Sequence, residues 1–346
     1  MKVLFHAYNT CCQTESGGVQ VRIRKIKSLL EHKGVNVDFF NPYETDLRKY
    51  DVLHLFMLRP ETASLVQCAK TLGLKIVLSS IVNIGDRPYH IYINEKLGRL
   101  YRHFGFTTSD NYNYGIVNNC DRIIVETPRE KEYIERYYNV AGNLFEVVPN
   151  GVEPLPKADD VIYSLIGKKC NYVLQVGRVD PNKNLLNTIK AVKGANYDLV
   201  IVGGKYSIGS SRYYDKCIKE AQGCANIHFL GWLKSGSAEL ASAYQNAQAL
   251  IMPSYQETFG LAATEAAIEG CHVCLSKTLP ILDYNVFDKR LSFSPSSVNQ
   301  IRSALDLALS MPKNDDVKNK ALNTFSWEQI VNQHINIYSN LCHGEI

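Results

Sequence analysis

Residues 249–270 read Ala-Leu-Ile-Met-Pro-Ser-Tyr-Gln-Glu-Thr-Phe-Gly-Leu-Ala-Ala-Thr-Glu-Ala-Ala-Ile-Glu-Gly. The apolar run 249–252 predicts a strand that is buried on both faces, as in a parallel sheet. A Pro-Ser turn ends this strand, and Gly260 then precedes an Ala-rich stretch that predicts a helix. In an open α/β sheet, ligands bind at the carboxyl ends of the strands, beside helix N-termini. This segment therefore predicts the fold class and the position of a ligand site.

The same alternation of apolar runs and helical patterns continues along the chain. The predicted strands are 3–8, 35–40, 52–58, 76–80, 122–126 and 145–148 in the first half, and 172–176, 199–202, 227–230, 249–252, 273–275 and 291–293 in the second. Such alternation is typical of doubly wound α/β folds. The chain has 346 residues, more than the roughly 250–300 at which a single core stops growing. We therefore predict two Rossmann-like domains that face a cleft.

Domain boundaries are expected near breaker residues. Pro149, Pro154 and Pro156, together with Asn150-Gly151, suit a linker. We place the N-terminal domain at 1–160 and the C-terminal domain at 161–325, followed by a helical tail at 326–346.

The composition indicates an ordinary globular protein. Hydrophobic residues make up 45% and charged residues 21%, which excludes a disordered or collagen-like chain. The net charge of +4 is too small by itself to indicate nucleic-acid binding. No apolar run is long enough to span a membrane, and no charged-then-apolar leader precedes the first strand. Ten Cys without a repeating spacing fit reduced thiols, so we expect a cytoplasmic protein.

Backbone N–H groups and two carboxylates are predicted at the ligand site. The N–H groups of Phe259, Gly260 and Leu261 at the helix start favour a phosphate, which a side chain at 260 would obstruct. Glu257 and Glu265 repel an anion but accept hydrogen bonds from sugar hydroxyls. The pattern indicates a nucleotide-sugar site. The structural alternative is a helix whose early Glu complements the helix dipole.

A second segment adds two cations. Residues 176–184 read Val-Gly-Arg-Val-Asp-Pro-Asn-Lys-Asn, and the predicted strand ends at Gly177. Arg178 and Lys183 in this position can neutralise a diphosphate leaving group, although cations on a turn are more often simply solvated. A Gly-Gly pair at 17–18 lets the backbone approach a ligand. The G-x-G-x-x-G fingerprint is absent, which argues against an NAD-dependent dehydrogenase.

Together these motifs resemble the retaining GT-B glycosyltransferases of the large group 1 family, family four of the sequence classification. The resemblance covers nearly the whole chain, and the order and spacing of its motifs agree with the family pattern. It rests on the Gly-Gly pair at 17–18, VPNGV at 148–152, VGRVDPNKN at 176–184, LGW at 230–232, the stretch 239–270 and FSWEQI at 325–330. The Glu-x7-Glu signature of the family falls on Glu257 and Glu265.

The resemblance implies catalytic roles for Glu257, Arg178 and Lys183. Arg178 and Lys183 would hold the donor diphosphate and stabilise its departure. Glu257 would contact the hydroxyls of the transferred sugar, and Glu265 would accept from the ribose hydroxyls of the donor.

The resemblance also implies how the remaining donor contacts and the chemistry are arranged. The backbone of Phe259, Gly260 and Leu261 would meet the phosphates, and Gly18 would line the cleft from the opposite side. The family's chemistry is retaining, with a front-face mechanism in which the leaving phosphate helps to deprotonate the acceptor. No cofactor and no catalytic metal are expected, and the helix at 326–346 would cross back to the first domain.

The sequence departs from the family pattern at one place. Many relatives carry a His or Asp shortly after the fourth strand of the N-terminal domain. Here residues 78–86 read Leu-Ser-Ser-Ile-Val-Asn-Ile-Gly-Asp, without a His. Ser80, Asn83 and Asp86 are left as alternatives for the contact to the sugar.

Three further patterns have a functional and a structural interpretation. Cys271-His-Val-Cys274 has metal-like spacing, but its place in a predicted strand favours two buried thiols over zinc. The basic amphipathic stretches 21–33 and 91–106, the second with Arg99 and Arg102, are candidates for an anionic membrane surface. Their alternative is a helix with one buried and one solvated face.

We therefore expect a glycosyltransferase that moves a hexose from a nucleotide-sugar donor to a glycan or lipid-linked acceptor, in polysaccharide or glycoconjugate synthesis. No nucleic-acid partner is expected, and the inner face of the membrane is a candidate location. The alternatives are a non-hydrolysing sugar-nucleotide epimerase of similar fold and a catalytically silent sugar-nucleotide or glycan-binding protein. The context of the Glu-x7-Glu signature argues against the first, and the presence of all four charged site residues argues against the second.

Overall fold

The computed structural model of the chain describes residues 1–8, 11, 18–82, 96–98, 100, 103–104, 109–205, 211–313 and 315–344. The chain divides into two compact units. Unit 1 comprises Met1–Gly151 and Trp327–Ile346, and unit 2 comprises Val152–Ser326.

Unit 1 is built on a parallel sheet with the order β2-β1-β3-β4-β5-β6. Its strands are β1 (Lys2–His6), β2 (Asn36–Phe39), β3 (Val52–Phe56), β4 (Lys75–Ser79), β5 (Arg122–Val125) and β6 (Phe145–Val147). Between them lie the helices α1 (Gly18–His32), α2 (Ala63–Thr71), α3 (Ser109–Asn119) and α4 (Pro128–Tyr138).

Helix α4 shows how local sequence sets the elements. Thr127 caps its N-terminus by accepting from the Glu130 N–H, and Pro128 occupies the first helical position, where its missing N–H costs nothing. Asn139, with φ of +53°, ends the helix in the left-handed conformation.

Unit 2 contains a parallel sheet with the order β12-β11-β10-β7-β8-β9. Its strands are β7 (Tyr172–Val176), β8 (Asp198–Val202), β9 (Ile227–Gly231), β10 (Ala249–Met252), β11 (His272–Ser276) and β12 (Ser292–Phe293). Its helices are α5 (Val161–Ile166), α6 (Leu185–Val192), α7 (Ser211–Ala221), α8 (Ala238–Asn246), α9 (Leu261–Ile268), α10 (Val298–Ser310) and α11 (Asp315–Phe325).

Each sheet separates two hydrophobic cores. Leu250 and Ile251 are neighbours on β10, yet they pack into different cores because successive side chains point to opposite faces. Leu53 and Val52 on β3 divide in the same way in unit 1. The continuous apolar runs are therefore explained by burial on both faces, and the predicted α/β fold with two Rossmann-like sheets is confirmed.

The boundary between the units lies earlier than the sequence predicts. Val152 is buried in a core of unit 2, and its N–H donates to the Phe325 carbonyl at 2.7 Å. The Leu155 N–H donates to the Glu269 side chain at 3.0 Å, and Leu155 packs against the same core. Residues 152–160 therefore belong to unit 2, because the proline-rich segment is anchored there rather than serving as an independent linker.

The last helix, α12 (Trp327–His343), belongs to unit 1. Ile330, Val331 and Tyr338 are buried in one of its cores. The Tyr338 hydroxyl is hydrogen-bonded to Nδ1 of the buried His54 at 2.6 Å. No helix among the described residues is both long and apolar enough to cross a bilayer.

Candidate active site

The two loops that carry the signature residues leave adjacent strands of unit 2. β7 and β10 are neighbours in the sheet, although β8 and β9 intervene along the chain. From β7 the chain adds β8 and then β9 on one side of the sheet. It then returns to add β10, β11 and β12 on the other side of β7. In open α/β sheets, ligands bind outside the carboxyl ends of the strands at such a switch point. Residues 177–184 and 253–260, which follow β7 and β10, therefore occupy the position where a ligand is expected.

Glycines shape the exits of β7 and β8. Gly177 has φ of +140° and Gly203 has φ of +134°. A Cβ atom on Gly203 would lie 1.8 Å from the carbonyl oxygen of Gly177. The two strand exits therefore approach each other as closely as they do because Gly203 carries no side chain.

Side-chain amides tie the loop after β7 to the loop after β10. Asn182 donates to the Gln256 carbonyl at 2.9 Å and accepts from the Gln256 N–H at 3.0 Å. Asn184 is buried, has φ of +54°, and donates to the carbonyl oxygens of Pro253 and Pro295 at 3.2 and 2.7 Å. These bonds fix the backbone on both sides of the intervening lysine.

Lys183 forms an ion pair with Glu257. Lys183 Nζ donates to Glu257 Oε1 at 2.5 Å, and the two side chains are 19% and 14% exposed. The Lys183 N–H donates to Asp180 Oδ1 at 3.0 Å, and the Gln175 side chain donates to the Lys183 carbonyl at 3.1 Å. The structure thus brings together a cation and a carboxylate from separate motifs. An ammonium has three donors, so Lys183 can bind a phosphate oxygen while it stays bonded to Glu257.

Arg178 lies on the same loop and is more exposed. Its Nε is 3.7 Å from Asp180 Oδ2, and its side chain is 44% exposed. Asp180 therefore faces both the Arg178 guanidinium and the Lys183 N–H. The Asp180 carboxylate thus orients both residues that are predicted to bind the diphosphate.

Helix α9 begins where the phosphate is predicted. Gly260 is its N-cap residue, with φ of +119°, and its carbonyl accepts from the Ala263 N–H at 3.0 Å. The N–H groups that precede Ala263 have no carbonyl four residues earlier in the helix to bond to. Phe259 is buried, and its ring packs edge-on against Tyr284 and Phe325 with centroids 6.2 and 5.8 Å apart. The side chain of Phe259 thus holds the loop against the core, while the backbone of Phe259 can contact a ligand. The Leu261 side chain is exposed.

Glu265 lies in the second turn of α9 and is half-buried. The Tyr244 hydroxyl on α8 donates to Glu265 Oε2 at 2.6 Å. Among the residues that the structure describes, none donates to Oε1. Burial raises the pKa of Glu265, and the hydrogen bond from Tyr244 partly offsets this rise. A half-buried carboxylate with one oxygen engaged suits a ligand that brings hydroxyl donors.

The site residues predicted in the N-terminal half lie in unit 1. Gly18 begins α1, and its placement beside a donor stays a prediction. Ser80 is buried and donates to Glu130 Oε1 at 2.7 Å. It is therefore a structural residue of unit 1 rather than a surface that a sugar can reach. Asn83 and Asp86 lie outside the described residues.

Cys271 directly precedes β11 and Cys274 lies within it, and both thiols are buried. Cys271 donates to the Tyr244 carbonyl at 3.0 Å, and Cys274 donates to the Ala304 carbonyl at 3.6 Å. Burial raises the pKa of both, to about 12 for Cys271. In the described ranges, no group of three or more His, Cys, Asp or Glu side chains is placed to hold a metal ion.

The basic stretch 21–33 differs from its predicted exposure at Arg22. Arg22 on α1 is buried and pairs with Glu126, so it does not contribute to a lipid-facing surface. In the stretch 91–106, the side chains of Leu97, Leu100 and Phe104 are exposed. The side chains of its Arg99 and Arg102 lie outside the described residues.

Comparison with known proteins decides the family. Residues 160–324, just under half of the chain, match the family model described as "Glycosyl transferases group 1". This part of the chain belongs to the group 1 glycosyltransferase family. The chain is 25% identical over 248 residues to the O-antigen chain mannosyltransferase RfbU of Salmonella typhimurium strain LT2. The match covers 71% of this chain and 65% of that protein, so the chain spans just under two thirds of the length of this relative.

Solved structures support the fold of the glycosyltransferase over both units. The sucrose-phosphate synthase of Thermosynechococcus elongatus superimposes with a TM-score of 0.76 at 18% identity, and the match covers 99% of each chain. Anabaena HepE in complex with UDP gives a TM-score of 0.71 at 15% identity, over 98% of this chain and 100% of that chain. At these identities the likeness establishes the fold alone, and the predicted GT-B fold is confirmed.

Several supporting residues were not predicted from the sequence. Asn182 and Asn184 flank Lys183 in the quoted motif, and their turn-forming side chains were a signal that the loop is held from both sides. Tyr244, which bonds Glu265, gave no comparable signal because it lies on a different helix, 21 residues away along the chain.

Proposed function

We propose that this glycosyltransferase transfers a hexose from a nucleoside diphosphate sugar to a glycan or lipid-linked acceptor with retention of anomeric configuration. The observation that carries the proposal is the Lys183–Glu257 ion pair at the switch point of the sheet. Its ammonium suits a phosphate and its carboxylate suits sugar hydroxyls. RfbU is named a mannosyltransferase, which agrees with the transfer of a hexose, and the UDP in the HepE structure agrees with a nucleoside diphosphate donor.

In the proposed reaction, the bond between the anomeric carbon and the donor phosphate oxygen breaks, and its electron pair stays on the diphosphate. The acceptor oxygen bonds to the anomeric carbon on the same face, and its proton passes to that phosphate oxygen. Arg178 and Lys183 stabilise the charge that develops on the leaving diphosphate. Glu257 positions the transferred sugar.

Glu265 and helix α9 complete the proposed donor site. Glu265 Oε1 accepts from the ribose hydroxyls, while Oε2 stays bonded to Tyr244. The backbone N–H groups of Phe259, Gly260 and Leu261 face the phosphates, because a helix N-terminus favours an anion. We place Gly18 of unit 1 among the donor contacts on the family resemblance alone.

We further propose that turnover requires no metal ion, because two cationic side chains already neutralise the diphosphate. Addition of EDTA is expected to leave the rate unchanged, and a loss of turnover that Mg²⁺ or Mn²⁺ restores would contradict this.

A peripheral association with the inner face of the membrane is proposed from the exposed apolar side chains of Leu97, Leu100 and Phe104.

The test of the proposed function starts with the donor. Thermal unfolding with UDP, GDP and ADP, and then with their sugars, identifies the nucleotide, because a ligand that binds the folded state raises its apparent stability. Transfer with the chosen donor is then followed by NMR of the anomeric proton in the product. A retained configuration supports the proposal, and an inverted one contradicts it.

Two controls separate the alternatives. An epimerase would convert the donor sugar without an acceptor, so the donor is analysed after incubation alone. Nucleotide binding without hydrolysis or transfer in any acceptor screen would favour a silent binding protein and would contradict the proposal.

A further inference from the structure

A pocket of about 470 Å³ lies in unit 1 at the carboxyl ends of β1 and β2. The residues that leave β1 form one wall, the residues that leave β2 form another, and Ile23 of α1 contributes to the lining. The Phe40 N–H donates to the Phe5 carbonyl at 2.9 Å, which holds the two strand exits side by side. The volume and the location at the carboxyl edge of a parallel sheet are both typical of ligand sites. We call it the aromatic pocket.

The lining of the aromatic pocket is mostly apolar and rich in rings, and its polar side-chain groups are the imidazole of His6 and the hydroxyls of Tyr8 and Tyr43, beside the rings of Phe39 and Phe40. Among the described residues that line it, none carries a carboxylate, a side-chain amide, an ammonium or a guanidinium. A sugar ring would bury several hydroxyls here with too few partners, which is costly. An apolar chain has no such cost. The lining therefore favours a hydrocarbon chain over a pyranose ring.

The charge state of His6 agrees with an apolar occupant. Burial lowers the pKa of His6, and the nearby carboxylate of Glu61 only partly opposes this shift. The imidazole is therefore neutral near pH 7, and its ring packs edge-on against Phe40 with centroids 5.2 Å apart.

The rim of the aromatic pocket combines exposed rings with a cation. The side chain of Phe39 is 41% exposed and that of Tyr43 is 95% exposed. The Arg59 guanidinium lies 5.6 Å from the centre of the Tyr8 ring, and within the described ranges no carboxylate forms an ion pair with it. Lys27 lies 5.8 Å from the Phe39 ring but is already bonded to Glu31. Arg59 is thus the cation placed to meet an anionic group at the rim.

We propose that the aromatic pocket binds the hydrocarbon chain of an amphiphile whose phosphate group is held by Arg59. The inference rests on the proposed function, and it makes the acceptor a lipid-linked one rather than a free glycan. The chain packs against the rings of Phe39, Phe40 and Tyr43, and the phosphate stays in water at the rim.

Isothermal titration calorimetry with decyl phosphate below its critical micelle concentration tests the proposal. Wild-type protein is expected to bind one molecule per chain, more tightly than it binds inorganic phosphate or decanol. Replacing Phe39→Ser and Tyr43→Ser together is expected to weaken binding by about tenfold or more, because two rings lose their contact with the chain. Arg59→Gln is expected to weaken decyl phosphate binding and to leave decanol binding unchanged.

Matched controls lie on the same unit. Tyr112→Ser removes an exposed ring on α3, and Arg48→Gln removes an exposed guanidinium that pairs with Asp46. Both are expected to bind decyl phosphate like the wild type. Equal affinities in the Tyr112→Ser protein and in the double variant at 39 and 43 would overturn the proposal. So would pocket-dependent binding of methyl mannoside, or binding to anionic vesicles without binding of the monomeric probe.

A nucleotide titration on the same proteins distinguishes this inference from the proposed function. Wild-type protein that binds a nucleoside diphosphate but not decyl phosphate overturns the aromatic pocket as a lipid site and leaves the donor site standing. Wild-type protein that binds no nucleoside diphosphate contradicts the proposed function instead.

Discussion

Lys183 is held by Glu257 at its ammonium and by Asp180 and Gln175 at its backbone. We predict that Lys183→Ala lowers kcat/KM by about 100-fold or more, because a fixed cation at the leaving group is lost. Lys190→Ala, which removes an exposed lysine on the neighbouring helix α6, is the control and is expected to keep wild-type turnover. Steady-state kinetics check both, with thermal unfolding to show that each variant is folded. Near-wild-type turnover in Lys183→Ala would refute its role.

Tyr244 is predicted to tune Glu265. The hydrogen bond from Tyr244 lowers a pKa that burial has raised, so Tyr244→Phe is expected to raise the pKa of Glu265 further. A protonated carboxyl loses acceptor capacity for ribose hydroxyls, so donor binding is lost as the pH falls through this pKa. The midpoint of that loss is expected at a higher pH in Tyr244→Phe than in the wild type.

Donor affinity measured against pH checks this prediction. Tyr163→Phe alters a partly buried ring on α5 that makes no bond to Glu265, and it is expected to keep the wild-type midpoint. An unchanged midpoint in Tyr244→Phe would show that Glu265 does not control donor binding.

At the scale of secondary-structure elements, the exits of β7 and β8 depend on glycine. Gly203→Ala places a Cβ against the Gly177 carbonyl in a backbone conformation with φ of +134°. We predict a loss of unfolding free energy of about 2–4 kcal/mol, since both a clash and backbone strain are introduced. Gly223→Ala also has a positive φ but meets open space, so it is expected to cost only about 1–2 kcal/mol. Equal losses in urea denaturation would contradict the close approach.

The junction of β4, β5 and α4 is predicted to make unit 1 sensitive to pH. Glu130 Oε1 accepts from the Ser80 hydroxyl and the Val82 N–H, and burial together with the carboxylate of Glu126 raises the pKa of Glu130 to about 7. Between about pH 4.5 and pH 7, Glu130 therefore keeps its proton in the folded state but has lost it in the unfolded chain. The free energy of unfolding falls as the pH rises through this interval.

Glu130→Gln cannot ionise, so its stability is expected to depend less steeply on pH over the same interval. Denaturation at several pH values compares it with Glu132→Gln, which alters an exposed carboxylate on the same helix. A slope in Glu130→Gln equal to that of the wild type would show that another group is responsible.

The elements also show what the sequence could and could not predict. The strand at 249–252 and the helix after Gly260 are set by local apolar runs and breakers, and they appear where predicted. Arg22 was placed on a solvated face because its partner Glu126 is 104 residues away and cannot be found from helical spacing.

The same limit applies to the candidate site. Lys183 and Glu257 were each identified from their motifs, but their ion pair depends on β7 and β10 lying side by side. That adjacency is a property of the whole sheet, which brings together two side chains that are 74 residues apart along the chain. Local patterns predict which residues are chemically suitable, and topology decides which of them meet.

At the scale of the whole molecule, the chain returns to unit 1 after completing unit 2. We predict that a chain ending at Ser326 destabilises unit 1 selectively, because α12 buries Ile330, Val331 and Tyr338 in a core of that unit. Unit 2 keeps its own cores, which consist of residues from 152 to 325. Hydrogen exchange is expected to show loss of protection in β1, β3 and β4, with β7, β8 and β10 unchanged.

Tyr338→Phe provides the graded control in the full-length chain. It leaves the ring packed but removes the partner of the buried His54 Nδ1, so it is expected to destabilise unit 1 by about 1–3 kcal/mol. The same strands should exchange faster than in the wild type, though less than in the truncated chain. Equal loss of protection in both units on truncation would mean that α12 supports the molecule as a single cooperative body, and the assignment of α12 to unit 1 alone would then fail.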